Sequence, residues 1–293
     1  GNAFGNAHFS AELDASEPIG GEWAGIVRAR IDRLEYNQYG YENIELDGSF
    51  RPREFRGSIC MDDPNGSLHA DGLFLSNGAA SAFDFTATVY HLRPDRLRLT
   101  DRYEEPDLSF AIRSNITGNS PDNFRGTVCI DAPVFRTRTD SLALRSVCIE
   151  ADGQPSDRRI AVRSELLDGE LRGAFAVADL PAAFREVMHA CLPSVFEAPA
   201  KRIAATAESP RFALNASVRN TEVLSRLLGL PVTVVEPATI AADYDGRTGR
   251  VHLTADLPHF LAAGSTFRTG KLAADNVDGP VRVQIEADRM QQE

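Results

Sequence analysis

The chain has 293 residues, 43% of them hydrophobic and 25% charged, with a formal net charge of −11. This is enough apolar material for one large or two ordinary domains, and too much for a disordered chain. The negative balance excludes the basic footprint that nucleic acid or an anionic membrane surface requires, and no apolar run approaches the roughly 20 residues of a membrane span.

In chain order, the first strand-like segment runs from His8 to Leu13. The octapeptide FRGSICMD at 55–62 then returns as FRGTVCID at 124–131, and a shorter echo, SVCIEADG, lies at 146–153. In each copy apolar residues alternate with polar ones, so Arg56, Ser58 and Arg125 fall opposite the apolar side. Period two with one apolar face predicts half-buried antiparallel strands. The same alternation places Ile44 and Leu46 on one face of their segment. It does so too for Leu68 to Phe74, Phe83 to Val89, Leu108 to Ile112, Leu142 with Leu144, Ile160 with Val162, Phe212 to Val218, Val251 to Leu257, and Val281 to Ala287. Asn65-Gly66, Asp168-Gly169, Asp245-Gly246 and Asp278-Gly279 read as hairpin turns, because these residues tolerate positive φ.

Two stretches read as helices. Residues 181–196 place Phe184, Val187, Met188, Cys191 and Leu192 on one face, with Pro181 suited to the first turn. Residues 221–229 run from an Asn/Thr cap to a glycine stop, with Val223, Leu224, Leu227 and Leu228 apolar. The organisation expected is a repeated strand segment over 1–178, a helix-containing insertion over 179–230, and continuing strands over 231–293. The fold class is all-β with few short helices: an elongated, repetitive antiparallel sheet curled into a groove. No capping unit closes either end, which predicts an internal piece of a longer array.

The cysteines (Cys60, Cys129, Cys148, Cys191) show no CxxC pairing, and the histidines no HxxxH or HExxH spacing. No metal site, cofactor or catalytic residue is therefore expected. Cys60 and Cys129 share a repeat position, and a turn near Arg138 would set Cys129 opposite Cys148. A disulfide there and unpaired thiols are equally consistent with the sequence. The acidic pairs Asp62-Asp63 and Glu104-Glu105 each sit beside a proline and read as turns. Trp23, Tyr36, Tyr39 and Tyr41 could stack on sugars, but strand aromatics more often pack across strands.

The run RLEYNQYGYENIELDGSF (33–50) followed by GSICMDDPNGSLHADGLF (57–74) resembles the repeat of TamB/AsmA-like proteins of Bacteroidetes-type bacteria. NTEVLSRLLGLPVTV (220–234) resembles the short helix and re-entrant strand found between their sheets. The resemblance implies a periplasmic segment of a protein anchored in the inner membrane, with a sheet curled lengthwise around an apolar trough. It further implies phospholipid transport toward the outer membrane, and a barrel partner bound through a C-terminal region that this chain lacks.

A diacyl lipid exposes about 30 methylenes, and leaving them in water costs on the order of 20–25 kcal/mol. A continuous apolar face shields them without directional bonds. The positions expected to form it are Ile44, Leu46, Leu68, Phe74, Phe83, Phe85, Phe110, Ile112, Leu142, Leu144, Phe212, Leu214, Val251 and Leu253, with a phospholipid or other apolar chain as the partner. The same alternation would serve a sheet whose interior is filled by side chains. A scaffold that binds outer-membrane proteins by β-augmentation is the alternative function.

Overall fold

The structure is a computed structural model that describes residues 4–19, 22–76, 81–191, 209–262, 264–276, 281–287 and 289–292. Strand makes up 69% and helix 8%, so the chain is all-β. Contacts divide it into two compact units, Gly1–Asn119 with Gly126–Cys148 and Ser120–Arg125 with Ile149–Glu293.

The first unit is built on strands β1 (Phe4–Ile19), β2 (Glu22–Tyr36), β3 (Tyr39–Arg51), β4 (Glu54–Asp63), β5 (Gly66–Ser76), β6 (Ser81–Leu92) and β7 (Asp107–Thr117). They form a meander in which each strand pairs antiparallel with the next. The β2–β3 turn is Asn37-Gln38, both at positive φ (50° and 65°), the two-residue geometry that matches strand twist. Next come β8 (Arg125–Arg136) and β9 (Ser141–Ala143), and then β10 (Ser146–Gln154), within which the chain passes to the second unit. β8 pairs with both β9 and β10. Both copies of the octapeptide are strands, in β4 and at the start of β8.

The second unit contains β11 (Asp157–Ser164), β12 (Leu167–Ala174), helix α1 (Leu180–Cys191), β13 (Arg211–Val218), helix α2 (Glu222–Leu228), β14 (Val232–Val234), β15 (Ala238–Asp245), β16 (Arg250–Ala262), β17 (Ser265–Asp275), β18 (Arg282–Glu286) and β19 (Arg289–Gln292). β11, β12, β13, β15, β16 and β17 pair in succession, and β18 and β19 follow along β17. α2 ends at Gly229, whose φ of 67° is the left-handed stop that the sequence predicts.

Several expectations change. Asp168-Gly169 is not a turn: both residues lie inside β12, opposite Arg163 and Val162. The chain reverses at Glu165-Leu166, where the Ser164 hydroxyl accepts from the N–H groups of Leu166 and Leu167 at 3.2 and 2.9 Å. Phe184 is 54% exposed, and the buried stripe of α1 is Ala183 and Val187, one turn apart. β12 pairs directly with β13 on the far side of the helical segment, and β13 with β15. Residues 192–196 and Asp278-Gly279 lie outside the described residues.

Candidate functional site

Directly opposed residues in an antiparallel ladder share a face, and alternate residues along a strand return to it. In the first unit the register carries this through successive strands. Ile31, Ile44, Met61, Leu68, Val89 and Phe110 form one row across β2–β7. Ala29, Leu46, Ile59, Ala70, Ala87 and Ile112 form the next, and Phe50, Phe55, Phe74, Phe83 and Ile116 a third. Between the last two runs Gly48, Gly57, Gly72 and Phe85. The Phe55 ring lies over this stretch, and a Cβ at Gly48 would come within 2.7 Å of it, so glycine is what lets the ring lie flat on the sheet. Phe74 and Phe83 pack with ring centroids 5.0 Å apart.

Eight predicted positions, Ile44, Leu46, Leu68, Phe74, Phe83, Phe85, Phe110 and Ile112, therefore share one apolar face. Among the described residues the main contacts of β1–β7 are with their sheet neighbours. The eight side chains are part-exposed, Phe74 at 38%, whereas Ala87 and Val89 of the same rows are buried. Leu142 is opposite Phe135 in the β8–β9 pair, and Leu144 follows β9, where its N–H donates to the Pro133 carbonyl.

The other face of the same strands is polar. Arg28 faces Asp47 and Arg30 faces Glu45, with ion-pair distances of 3.3 and 3.4 Å. These pairs are solvated and contribute little stability individually; their role is to keep that face in water. At one end of the sheet the Tyr39 hydroxyl donates to Asp63 at 2.6 Å, and Asp63 also accepts from the N–H groups of Glu42 and Asn65. Burial, and then the hydrogen bond to Asp63, pushes the Tyr39 phenol up. Tyr41 packs edge-on to Tyr39 at 4.9 Å and donates to the Leu97 carbonyl. These aromatics and the Asp62-Asp63 pair hold the turn region together, which accounts for them structurally. Glu104, of the second acidic pair, meets Arg138 at 3.4 Å.

In the second unit the register again collects one apolar face, but that face is covered. Ala183 and Val187 of α1 pack on a cluster formed by Ala242, Tyr244, Val251, Leu253, Ala255, Leu272 and Ala274, with Phe212 and Leu214 against it. Val251 is 3% and Leu253 5% exposed, so these two are core residues and not part of an accessible groove. Burial first, and then the Glu186 carboxylate 3.5 Å away, pushes the Tyr244 phenol up to about 12. A shallow cleft of about 820 Å³ lies on the opposite, polar face, lined by Arg159, Arg163, Glu170, Asn215, Asp256 and Lys271 among others. It is not where the apolar candidates are. Arg159 is neutralised within it by Glu170 at 2.7 Å and Glu150 at 3.5 Å.

Cys129 and Cys148 form a disulfide that joins β8 to β10. No group of three or more His, Cys, Asp or Glu able to hold a metal occurs among the described residues. Sequence reasoning missed the contact between Cys60 and His69, 2.8 Å apart. It was recoverable: a hairpin that closes at Asp63 and Gly66 sets residue 60 opposite residue 69 by counting back. Comparison with family models, with curated proteins and with solved structures finds no match.

Proposed function

We propose that the chain is a non-catalytic segment of a periplasm-spanning envelope protein, whose first unit shields the acyl chains of phospholipids on their way to the outer membrane. One observation carries this reading: eight apolar positions from β3 to β7 are brought by register onto one face, and none of the eight is buried. An apolar face of that extent marks a binding surface. Its attraction is non-directional, so a chain can slide along it without a tight stop at any position. The strand backbones are already paired, so the face asks for no polar partner. The disulfide fits an oxidising compartment such as the periplasm. The resemblance of residues 33–74 to TamB/AsmA-like repeats points the same way.

The test places photo-crosslinking residues at Leu46, Phe74 and Phe85 in the intact envelope protein, with Arg56 and Ser58 as controls. Phospholipid adducts at the first three and none at the controls are expected. Adducts to protein alone would replace the lipid reading with that of a scaffold for outer-membrane proteins. Equal lipid labelling on both faces would remove it.

A further inference from the structure

The two copies of the octapeptide give the same cysteine two different partners. Cys129 is bridged to Cys148, whereas Cys60 is unbridged and faces His69 directly across the β4–β5 pair. The Cys60 Sγ lies 2.8 Å from His69 Nδ1. On the far side of the ring, Asp71 Oδ1 is 3.9 Å from Nε2, and the Thr86 hydroxyl donates to that carboxylate at 3.1 Å. Strand geometry makes the arrangement, because His69 and Asp71 are two residues apart and project from the same face. At 3.9 Å the Asp71 carboxylate is too far to hydrogen-bond Nε2, and in the tautomer that carries its proton on Nε2 the Nδ1 lone pair can take the thiol proton. A nucleophile with a base within hydrogen-bond reach is the arrangement that activates sulfur.

The group is also reachable. The His69 and Asp71 side chains are 59% and 58% exposed. Cys60 lines a shallow cleft of about 360 Å³ together with Ser10, Glu12, Arg28, Arg30 and Glu45. Arg28 and Arg30 are held there by Asp47 and Glu45 and stay solvated. A small polar reagent therefore has room beside the sulfur, on the face opposite the apolar rows.

We propose that Cys60 and His69 form a reactive-thiol site that takes up low-molecular-mass disulfides by exchange. The Cys60 sulfur attacks one sulfur of the disulfide RSSR while its proton passes to His69 Nδ1. A new bond forms from Cys60 to SR as the S–S bond breaks, and the departing thiolate recovers the proton as RSH. Cys60 is oxidised and half of the disulfide is reduced, with no further oxidant.

The experiment follows 5,5′-dithiobis(2-nitrobenzoic acid) reacting with the folded full chain at about pH 7, with the adduct located by mass spectrometry. Folded protein is expected to label at Cys60 at least about tenfold faster than the same chain in urea, the scale of a positioned general base. His69→Gln should remove that advantage, and Cys60→Ser should remove the labelled peptide. Oxidised glutathione should then give a mixed disulfide at the same residue. Folded wild-type protein reacting no faster than unfolded chain would overturn the site, and that comparison needs no variant to fold. Equal rates for wild type and His69→Gln would overturn the role of the imidazole, and failure of glutathione to add would overturn the exchange.

Discussion

The two units solve the same sheet problem in different ways. Each gathers the apolar residues of successive strands onto one face. The second unit lays α1 over that face, and Val251, Leu253 and Ala274 disappear from solvent. In the first unit Leu46, Phe74 and Phe85 of the corresponding face stay part-exposed. Alternation in a strand therefore says that a face is apolar, not whether the protein itself or something else will cover it.

The sharpest way to break this contrast is a carboxylate on each face. Leu253→Asp buries an unpaired charge and should cost about 4 kcal/mol or more, unfolding the second unit. Phe85→Asp can turn its charge to water and should cost only about 1–2 kcal/mol. Unit-resolved hydrogen exchange in urea measures both, and equal losses would mean that the first face is filled as well.

Next in size is the staple of the first unit. A disulfide closing a loop of 19 residues removes about 3 kcal/mol of denatured-state freedom. Cys129→Ser should therefore lower the stability of the first unit by about that amount and leave the second unchanged. Exchange protection in β4–β8 set against β13–β16 reads the result.

Val187→Asp should cost a similar or slightly smaller amount, about 3 kcal/mol, by lifting α1 from the second sheet. Its distinguishing readout is new binding of an apolar dye at the Phe212 and Leu214 face, which would leave that face part-exposed like its counterpart in the first unit. No change in dye binding would show that α1 is not what shields that face.

The smallest effect is the alkaline one. The Tyr244 phenol is pushed up to about 12 in the folded second unit, against about 10 unfolded. A raised folded value means that the stabilisation is complete below about pH 10 and is lost as pH rises through about 12. Tyr244→Phe should flatten the dependence of the second unit across that window. Absorbance titration should show one fewer late phenol in the variant than in the wild type, since Tyr39 and Tyr41 are raised in both.

The strands were legible because period two is a strong and simple signal, and the eight candidates of β3–β7 fall in register from alternation alone. The Cys129–Cys148 bridge was legible as one of two options, since a strand-turn-strand count brings the sulfurs level but cannot oxidise them. The role of α1 was not legible. Its amphipathic stripe says that it packs, but the sheet that receives it is fixed by β12–β13 pairing across the helical segment. The Asp168-Gly169 turn failed because a dipeptide favourable to positive φ lost to Ser164, whose hydroxyl closes the reversal two residues earlier. Phe184 failed because Ala183 and Val187 suffice for a close helix-to-sheet contact, which leaves the larger ring outside.

The staple has a mechanical consequence as well. The bridge removes the 19 residues from Cys129 to Cys148 from the length that a stretched chain can yield. At about 3.5 Å per extended residue, that is roughly 65 Å of hidden length. A protein under tension would keep that slack locked in an oxidising compartment and release it in a single step when a reductant arrived.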